Sequence, residues 1–260
     1  MKEKYSFLFC TCDSYSDLWE PFFTLLQRYW PNFDYDVYLC TESKQFSFPG
    51  FNIHCPLNEP QSVTWSQKLM DLLHIIPTEN IIFMLDDFWL KAPVNTERLR
   101  VLMESFDTDK QIGHLNMIHE SASALEPSEK YPDLVKFPKK RSYRITTQAS
   151  LFRRDYLLQV LRARESAWEF EVYGSKRSAR LSQECYIIAD GSPVVFSYDH
   201  GGVIRRGCYI KEYVDYFMEH ERITLGINRP VKTEEQILYE YHKNHRPSLR
   251  GLIDYVFSRF

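Results

Sequence analysis

Apolar and polar positions follow two different periods over the first 90 residues. Tyr5–Thr11 is short, apolar and aromatic, which predicts a buried strand. Apolar residues then recur three and four positions apart, which predicts one face of a helix formed by Leu18, Phe22, Leu25, Leu26 and Tyr29. Pro21 fits this helix only in its first turn, because proline has no backbone N–H to donate.

The alternation continues to residue 90. Tyr35–Glu42 and Phe51–Pro56 have the composition of strands. Apolar residues between Val63 and Ile76 then recur at helical spacing until Pro77 ends the pattern. The stretch 81–90, IIFMLDDFWL, adds another strand. Strands separated by helices need crossover connections, so we predict an α/β fold with a mainly parallel sheet flanked by helices.

The second half of the chain is less regular. Gln111–Ile118 and Tyr143–Phe152 resemble strands, and Arg154–Arg164 has helical spacing. The polar, proline-containing residues Glu120–Arg141 predict a loop over the site. Residues 193–210 predict two strands around the Gly201–Gly202 turn. Helical patterns follow at 209–220, 233–242 and 248–260.

Two adjacent carboxylates, Asp86 and Asp87, stand inside the apolar stretch 81–90. Five apolar residues precede them, as in a parallel strand that is buried on both faces. Ligands of such sheets bind beyond the carboxyl ends of the strands. Thr11 and Asp13 follow the first strand in the same way. We therefore predict that these side chains lie at the mouth of a binding site.

Adjacent carboxylates at a strand end suit a hard divalent cation. Mg²⁺ and Mn²⁺ take oxygen ligands and keep positions open for water and substrate phosphates. The structural alternative is a helix N-cap, or an acid paired with a nearby Lys or Arg. The position of Asp86 and Asp87 directly after a parallel-type strand favours the metal site.

Composition narrows the class of protein. An apolar content of 44% and an aromatic content of 15% are typical of a folded protein, and 260 residues suffice for one large α/β domain. A net charge of −3, with basic residues mostly interleaved among acids, argues against nucleic acid as a partner. No run approaches the roughly 20 apolar residues that span a bilayer.

The six cysteines, at positions 10, 12, 40, 55, 185 and 208, lie mostly within or beside apolar segments and lack the pairing of metal ligands. The first 17 residues do not have the pattern of a signal peptide. We therefore expect reduced core thiols in a cytoplasmic protein.

At this point the sequence resembles a family. IIFMLDDFWLKAPV resembles the Asp-x-Asp metal motif of glycosyltransferases with the GT-A fold, in a variant whose two acids are adjacent. Five further segments together resemble bacterial glycosyltransferase-like proteins found with genes for surface or capsular polysaccharides: TCDSYSDLW, TWSQKL, TTQASLFRRDYLL, SAWEFEVYGS and GGVIRRG. The resemblance spans most of residues 5–210.

The resemblance implies one glycosyltransferase-like domain with a GT-A-like, Rossmann-like sheet and C-terminal helices. Its parts would be a nucleotide-binding half (1–118), an acceptor and catalytic half (119–210) and a C-terminal helical appendage (211–260).

The resemblance also implies a donor site. Asp87 would bind Mn²⁺ or Mg²⁺ against the diphosphate of a sugar nucleotide, while Asp86 would contact the ribose or the metal shell. A cation there stabilises the charge that the diphosphate gains as the glycosidic bond breaks. Thr11 and Asp13 would hold the base and the ribose. The nucleotide expected from the resemblance is UDP.

Trp65 and Lys68 stand near the start of the second predicted helix. The indole could stack on the base and the ammonium could reach a phosphate. The alternative is one core indole and one solvated lysine.

A second pair of acids lies in SAWEFE. In an extended segment Glu169 and Glu171 would point to one side, with Trp168 and Phe170 on the other. Desolvation raises the proton affinity of a glutamate among aromatic residues, which suits a general base for an acceptor hydroxyl. The resemblance favours a Trp-x-x-Glu pattern, so Glu171 is the first candidate and Glu169 the second. A solvated or helix-capping acid is the alternative.

Gln148 and Ser150 end a predicted strand and are candidates for hydrogen bonds to the donor sugar or the acceptor.

HGGVIRRG offers another possible donor contact. Its glycines, Gly201 and Gly202, allow close approach of the backbone to a ligand, and Arg205 and Arg206 could clamp a diphosphate. A hairpin turn with exposed arginines is the alternative. His200 is a candidate third metal ligand, because some GT-A enzymes use a C-terminal histidine.

The last segment, HKNHRPSLRGLIDYVFSRF, mixes cations with aromatic residues. It predicts peripheral contact with an anionic membrane at its inner face, and a helix packed on the core is the alternative.

The sequence therefore predicts a metal-dependent glycosyltransferase of the hexosyltransferase type, acting on a hydroxyl of a glycan or lipid-linked acceptor. One alternative is a catalytically silent nucleotide- or sugar-binding protein with the same fold. Another is a different metal-dependent nucleotide enzyme, for which a Walker loop or a glycine-rich first turn is missing.

Overall fold

The predicted alternation of strands and helices is present in the first 85 residues of the computed structural model, which describes residues 2–60, 62–119, 125–226 and 229–244. The strands are β1 (Tyr5–Cys10), β2 (Val37–Leu39), β3 (Ile53–His54) and β4 (Asn80–Leu85). The helices are α1 (Trp19–Tyr29) and α2 (Trp65–Ile75), and a 3₁₀ helix (Asp13–Leu18) leads into α1.

Local sequence explains where these elements begin and end. Every residue of β1 is buried, as its apolar run predicts. Pro21 is the third residue of α1 and so lies in the first turn. The hydroxyl of Thr64 caps α2 by accepting from the backbone N–H of Gln67, and α2 ends two residues before Pro77.

The second half adds five strands to the same sheet, together with short helical segments. The strands are β5 (Ile112–Asn116), β6 (Glu126–Pro127), β7 (Leu134–Lys136), β8 (Ser150–Arg153) and β9 (Glu184–Ile188). The helices are α3 (Thr96–Thr108), α4 (Arg154–Val160), α5 (Ala167–Glu169) and α6 (Ser175–Ser178), with a π-helical turn (Phe170–Gly174) between α5 and α6.

The sheet has nine strands in the order β3-β2-β1-β4-β8-β5-β9-β7-β6. Strands β1 to β4 are parallel to one another, whereas β8 runs antiparallel between β4 and β5. The amino end of β8 therefore lies beside the carboxyl ends of β4 and β5. We call this side of the sheet the carboxyl edge.

Several elements of the second half differ from the prediction. The predicted strand 143–152 is a strand only from Ser150 onward, and β8 ends at Arg153. The predicted loop 120–141 contains β6 and β7, and β7 pairs with β9; residues 120–124 lie outside the described part. Helix α3 and strand β9 were not predicted, although Asn95 is a recognisable cap whose side chain accepts from the backbone N–H of Arg98.

The chain divides into two compact units, Met1–His200 and Gly201–Phe260, and the nine-stranded sheet belongs to the first. The second unit contains β10 (Ile204–Arg205), β11 (Cys208–Ile210), β12 (Val231–Lys232), α7 (Lys211–His220) and α8 (Glu234–Asn244). The strand pair predicted around the two glycines is wrong: the hairpin of β10 and β11 lies after them and turns at Arg206 and Gly207. Both turn residues have positive φ, as a two-residue hairpin loop of type I′ requires.

Other predictions concern the thiols and the last segment. All six cysteines are free thiols, and Cys10, Cys40 and Cys185 are buried. The membrane-binding segment predicted at the end of the chain lies outside the described residues. Within the described residues, no helix is long and apolar enough to cross a membrane. The three-part division of the domain stays a prediction.

Gly113 provides a test of the core. It lies where the pairing of β5 with β9 shifts register, and a Cβ there would come within 2.7 Å of the Tyr156 ring. We expect Gly113→Ala to lower the free energy of unfolding by about 1–3 kcal/mol, the usual effect of overpacking. Urea unfolding measures the change.

The double variant Gly113→Ala/Tyr156→Leu is the control, because it removes the opposing ring. Its loss of stability should be smaller than the sum of the two single losses. Strict additivity would contradict the predicted steric clash.

Candidate functional site

The end of β1 is joined to the end of β4 by a buried hydrogen bond. The Thr11 hydroxyl donates to Asp86 Oδ2, and the Trp19 indole N–H donates to Thr11 Oγ1 over 2.7 Å. Thr11 and Asp86 are each only 6% exposed. The hydroxyl of Thr11 is thus already engaged with its own chain, and its predicted contact with a nucleotide stays a prediction.

Asp13 joins the loop after β1 to the loop after β2. Its carboxylate accepts from the backbone N–H groups of Glu42, Ser43 and Lys44 at 3.0–3.2 Å, and from the Ser43 hydroxyl at 2.9 Å. Burial opposes the charged form of Asp13, but the hydrogen bonds from Ser43, Lys44 and Glu42 outweigh it and lower the pKa. Asp13 is therefore an anion that holds two loops of the carboxyl edge together.

Lys68 is buried, with 2% exposure, so the solvated lysine considered as an alternative is wrong. Its ammonium forms an ion pair with Glu42 and donates to the Thr11 carbonyl over 3.0 Å. Burial opposes its charge, but Cys40 and Glu42 more than offset that effect and raise its pKa. The predicted contact with a phosphate stays a prediction, because Lys68 already has these two partners.

Trp65, one turn before Lys68, is partly buried, and its ring centre lies 5.4 Å from that of Phe170. Trp65, the first residue of α2, thus packs against the π-helical turn. Stacking on a base stays a prediction.

Asp87 differs from the acid beside it. Its Oδ1 is buried and has no hydrogen-bond partner in the described part of the chain. Burial raises the pKa of Asp87 to about 7, although its own backbone N–H opposes the shift. At neutral pH this carboxyl group is therefore divided between its acid and its anion.

This unpartnered oxygen is the observation that tests whether a divalent cation fits. A single carboxylate suits a cation that takes its other ligands from phosphate oxygens and water, as Mg²⁺ and Mn²⁺ commonly do. Among the described residues, no group of three acids, histidines or cysteines could hold a metal ion by itself. Asp87 therefore fits a cation that arrives with a diphosphate.

Tyr198 extends the carboxyl edge and was not predicted as a site residue. Its hydroxyl accepts from the backbone N–H of Ala149 over 3.1 Å and donates to Gln148 Oε1 over 2.9 Å. Its ring stacks on Phe88, with centres 4.5 Å apart. Tyr198 thereby fixes Gln148 near the acids of β4.

Ser150, by contrast, is fully buried and bonds Asn116, so its proposed contact with a sugar is wrong.

His200 is exposed, and its ring centre lies 5.6 Å from that of Tyr198. The partial burial of its imidazole lowers its pKa, His119 acts in the same direction, and Asp199 opposes the shift. A neutral imidazole is the form that binds metals. No described contact joins His200 to Asp87, so its role as a metal ligand stays a prediction.

The segment with the second pair of acids is helical, so the predicted extended conformation is wrong. Ser166 and Glu169 form a capping box: the Ser166 side chain accepts from the Glu169 backbone, and the Glu169 carboxylate accepts from the Ser166 backbone. The sequence Ser-x-x-Glu was the signal for this helix. The hydrogen bonds from Ser166 lower the pKa of Glu169, which is the opposite of the predicted shift.

Glu171 is placed differently. Its Oε1 accepts from the backbone N–H of Thr147 over 2.7 Å and from the Thr147 hydroxyl over 2.9 Å. Thr147 precedes Gln148 at the amino end of β8. Of the two glutamates, Glu171 is therefore the one bound to the carboxyl edge.

The two candidate arginines lie in the second unit. Arg205 forms an ion pair with Glu234, and the Arg206 guanidinium lies 3.3 Å from the centre of the Tyr241 ring. Arg206 is also a turn residue with a φ of 51°. Both side chains therefore have partners within their own unit, as the hairpin alternative implies, and the diphosphate clamp stays a prediction.

Comparison with known proteins supports the fold. No protein-family model matches the chain, and no curated protein is similar to it. Among solved structures, TarS 1-349 from S. aureus in complex with UDP-GlcNAc superposes with a TM-score of 0.50 and 14% identity, over 94% of this chain and 74% of that one. Another structure of TarS 1-349 gives 0.50 and 13%, over 73% of this chain and 59% of that one.

A mannosyltransferase from Pyrobaculum calidifontis, PcManGT in complex with GDP-Man and Mn²⁺, also superposes with a TM-score of 0.50, at 11% identity over 94% of this chain and 66% of that one. At these identities the likeness concerns the fold. The predicted fold class is confirmed: the chain has the α/β, GT-A-like sheet that nucleotide-sugar glycosyltransferases share.

The raised pKa of Asp87 makes stability depend on pH. The folded protein keeps this proton up to about pH 7, whereas the unfolded chain releases it near pH 3.9, so stability falls as pH rises between these values. We expect Asp87→Asn to be more stable than the wild type at pH 8, by on the order of 2–4 kcal/mol, and nearly equal to it at pH 4. Urea unfolding across this range, without added metal, measures the difference.

Glu129→Gln is the matched control, because Glu129 is an exposed acid. Its stability relative to the wild type should not change with pH. A difference between Asp87→Asn and the wild type that stays constant from pH 4 to pH 8 would contradict an uncompensated charge at Asp87.

Proposed function

We propose that the protein is a glycosyltransferase that moves a sugar from a nucleoside-diphosphate donor to a hydroxyl of a glycan or lipid-linked acceptor. The observation that carries this proposal is the buried, unpartnered carboxylate oxygen of Asp87, at the carboxyl edge of a GT-A-like sheet. The donor is proposed to be a UDP-sugar, and the product part of a surface polysaccharide assembled in the cytoplasm.

Asp87 would hold Mn²⁺ or Mg²⁺ against the diphosphate. A bound cation would neutralise part of the negative charge that develops on the leaving diphosphate. Asp86, fixed by Thr11, would contact the ribose or a water of the metal shell. This division of roles follows from the contacts of the two acids: Asp86 accepts a hydrogen bond from Thr11, whereas Asp87 Oδ1 has no described partner.

Glu171 is proposed as the general base. Thr147 holds one of its oxygens, and the carboxylate would take the proton from the acceptor hydroxyl as that hydroxyl attacks the sugar. Gln148, fixed by Tyr198, would donate its amide to the donor or the acceptor. Thr147 thus positions the base, while Asp87 organises the leaving group.

The experiments also distinguish the proposed transferase from two other functions. A silent binding protein would bind the donor without transferring the sugar. A nucleotidyltransferase would use the same carboxylates for phosphoryl chemistry and would release pyrophosphate.

The donor site is tested by calorimetric titration. We expect UDP to bind in the presence of Mn²⁺, at least about tenfold more weakly without it, and at least about tenfold more weakly to Asp87→Asn, because a charge-assisted contact of this kind contributes on the order of 1.5–3 kcal/mol. GDP and CMP are titrated alongside UDP to identify the nucleotide. Glu129→Gln is the control for a lost surface charge and should bind as the wild type does.

UDP binding that is independent of metal and of Asp87 would contradict the metal site. Tighter binding of GDP would correct the donor and leave the site intact, whereas tighter binding of CMP, which has no diphosphate, would contradict the diphosphate site.

The two glutamates of the SAWEFE segment are a matched pair for the catalytic step. We expect Glu171→Gln to lower kcat by about 10²–10⁴, with UDP affinity unchanged, because it removes the proton acceptor. Glu169→Gln should lower kcat far less, since glutamine also completes a capping box. Release of UDP from a UDP-sugar with a glycan acceptor measures both rates.

Equal losses in the two variants would argue for a structural effect on the helix. An unchanged kcat in Glu171→Gln would exclude Glu171 as the base.

A further inference from the structure

Positive charge is concentrated in one part of the chain. Residues 136–180 contain 12 Lys and Arg and only 4 Asp and Glu, whereas the whole chain contains 32 and 35. The overall composition indicated that basic residues are mostly interleaved with acids. In this region, however, basic residues are in clear excess. Such separation of charge requires a physical reason, because it weakens the compact state through repulsion between like charges.

The two ends of this basic region lie side by side. Arg144 is buried and donates to the Ser178 hydroxyl, and the backbone N–H of Ile145 donates to Ser175 Oγ. The Lys139 ammonium donates to the Leu181 carbonyl. Segments 137–145 and 175–181 therefore pack against each other.

Exposed cations and aromatic rings share this part of the fold. We call the following eight exposed residues the basic surface: Lys140, Tyr143, Arg162, Arg164, Trp168, Tyr173, Lys176 and Arg180. Within the described residues, none of its five cations has an ion-pair partner. Arg162 donates to the Gln159 and Leu161 carbonyls, and the Lys176 ammonium lies 5.3 Å from the centre of the Tyr173 ring, so no described acid neutralises these charges.

Trp168 is 78% exposed, unlike the other tryptophans of the chain. Three of those are at most 3% exposed, and Trp65 is partly buried. Tyr143 and Tyr173, with 46% and 42% exposure, also belong to the basic surface. Exposed indole and phenol rings are typical of binding surfaces, because they give a large rigid contact area at a small loss of conformational entropy.

The basic surface and the candidate site share one helical segment. Trp168 of α5 and Glu171 of the π-helical turn are three residues apart, and residues three apart are neighbours on the surface of a helix. Thr147 joins Glu171 to the carboxyl edge. A ring stacked on Trp168 would therefore lie next to the proposed base.

We propose that the basic surface binds the acceptor and that the acceptor is an anionic glycan. Trp168 stacks on the apolar face of one sugar ring, and the flanking cations pair with phosphate, carboxylate or sulfate groups farther along the chain. This inference rests on the transferase function proposed above and specifies its substrate class.

A membrane is the weaker candidate for this surface. Only Trp168, Val172 and Tyr173 are exposed large apolar side chains between residues 167 and 178. Helices that lie in a membrane interface bury a broad apolar face. Three side chains match one sugar ring better than a lipid layer.

Acrylamide quenching of tryptophan fluorescence tests the proposal, because acrylamide is neutral and Trp168 is the one highly exposed indole. The probes are a hyaluronan hexasaccharide and a phosphorylated mannose oligosaccharide, with neutral chitohexaose for comparison. We expect an anionic probe to lower the quenching constant about twofold at low salt, and this protection to fall as screening increases. Trp168→Phe identifies the quenched signal, since it should remove most of it.

Calorimetry with the protective probe then uses matched pairs of variants. Trp168→Ala should weaken binding about tenfold, and Trp168→Phe less, because phenylalanine retains a stacking face. Tyr239→Ala removes another exposed ring, 66% exposed, and should have no effect. Lys176→Gln should weaken binding and reduce its salt dependence, whereas Lys110→Gln, at a side chain 62% exposed, should not.

The outcomes separate this inference from the proposed function. UDP binding without protection by any anionic glycan would overturn the inference and leave the donor site standing. Equal protection by chitohexaose would exclude the anionic class. Protection only by phosphatidylglycerol vesicles or by single-stranded DNA would assign the surface to another partner. Glycan protection without binding of UDP, GDP or CMP would retain the surface and contradict the proposed transferase.

Discussion

One buried cation organises the carboxyl edge. The Lys68 ammonium joins α2 to the end of β1, through the Thr11 carbonyl, and to Glu42 after β2. A charge in the interior is tolerated only when it is paired and hydrogen-bonded, so the geometry of these three segments is set together. Glu42 in turn accepts from the backbone N–H of Asp13, whose carboxylate holds the loop after β2. Lys68, Glu42 and Asp13 therefore become parts of one framework.

That framework explains why two adjacent acids have different properties. Asp86 accepts a hydrogen bond from the hydroxyl of Thr11, the residue whose carbonyl is bound to Lys68. Asp87 Oδ1, in contrast, has no described partner. The Lys68 ammonium, the buried cation of this edge, is already bound to Glu42. An acid left in this position favours either a proton or an external cation, and the two compete in the same pH range. The candidate donor site therefore lies where a buried carboxylate oxygen, Asp87 Oδ1, has no hydrogen-bond partner among the described residues.

The parallel first half was predictable because its apolar runs, helical spacing and prolines all indicate the same elements. The second half was less so. The strand β9 is one short apolar run among polar loops, and the place of β8 between β4 and β5 is a tertiary arrangement that no local pattern encodes. The acids of β4 could be proposed from their position after a strand. Glu42 and Tyr198 could not, because their roles come from partners 26 and 50 residues away.

The π-helical turn Phe170–Gly174 has a consequence for the register of the helix that contains it. Such a turn corresponds to an α-helix with one residue inserted. The widened turn coincides with a hydrogen bond from the Ser175 hydroxyl to the Glu171 carbonyl, while the same hydroxyl accepts from Ile145. Without the extra residue, everything beyond it would rotate by about 100° about the helix axis. The insertion therefore sets the direction in which Ser175 and Ser178 of α6 meet Ile145 and Arg144, relative to the turn that places Glu171 against Thr147.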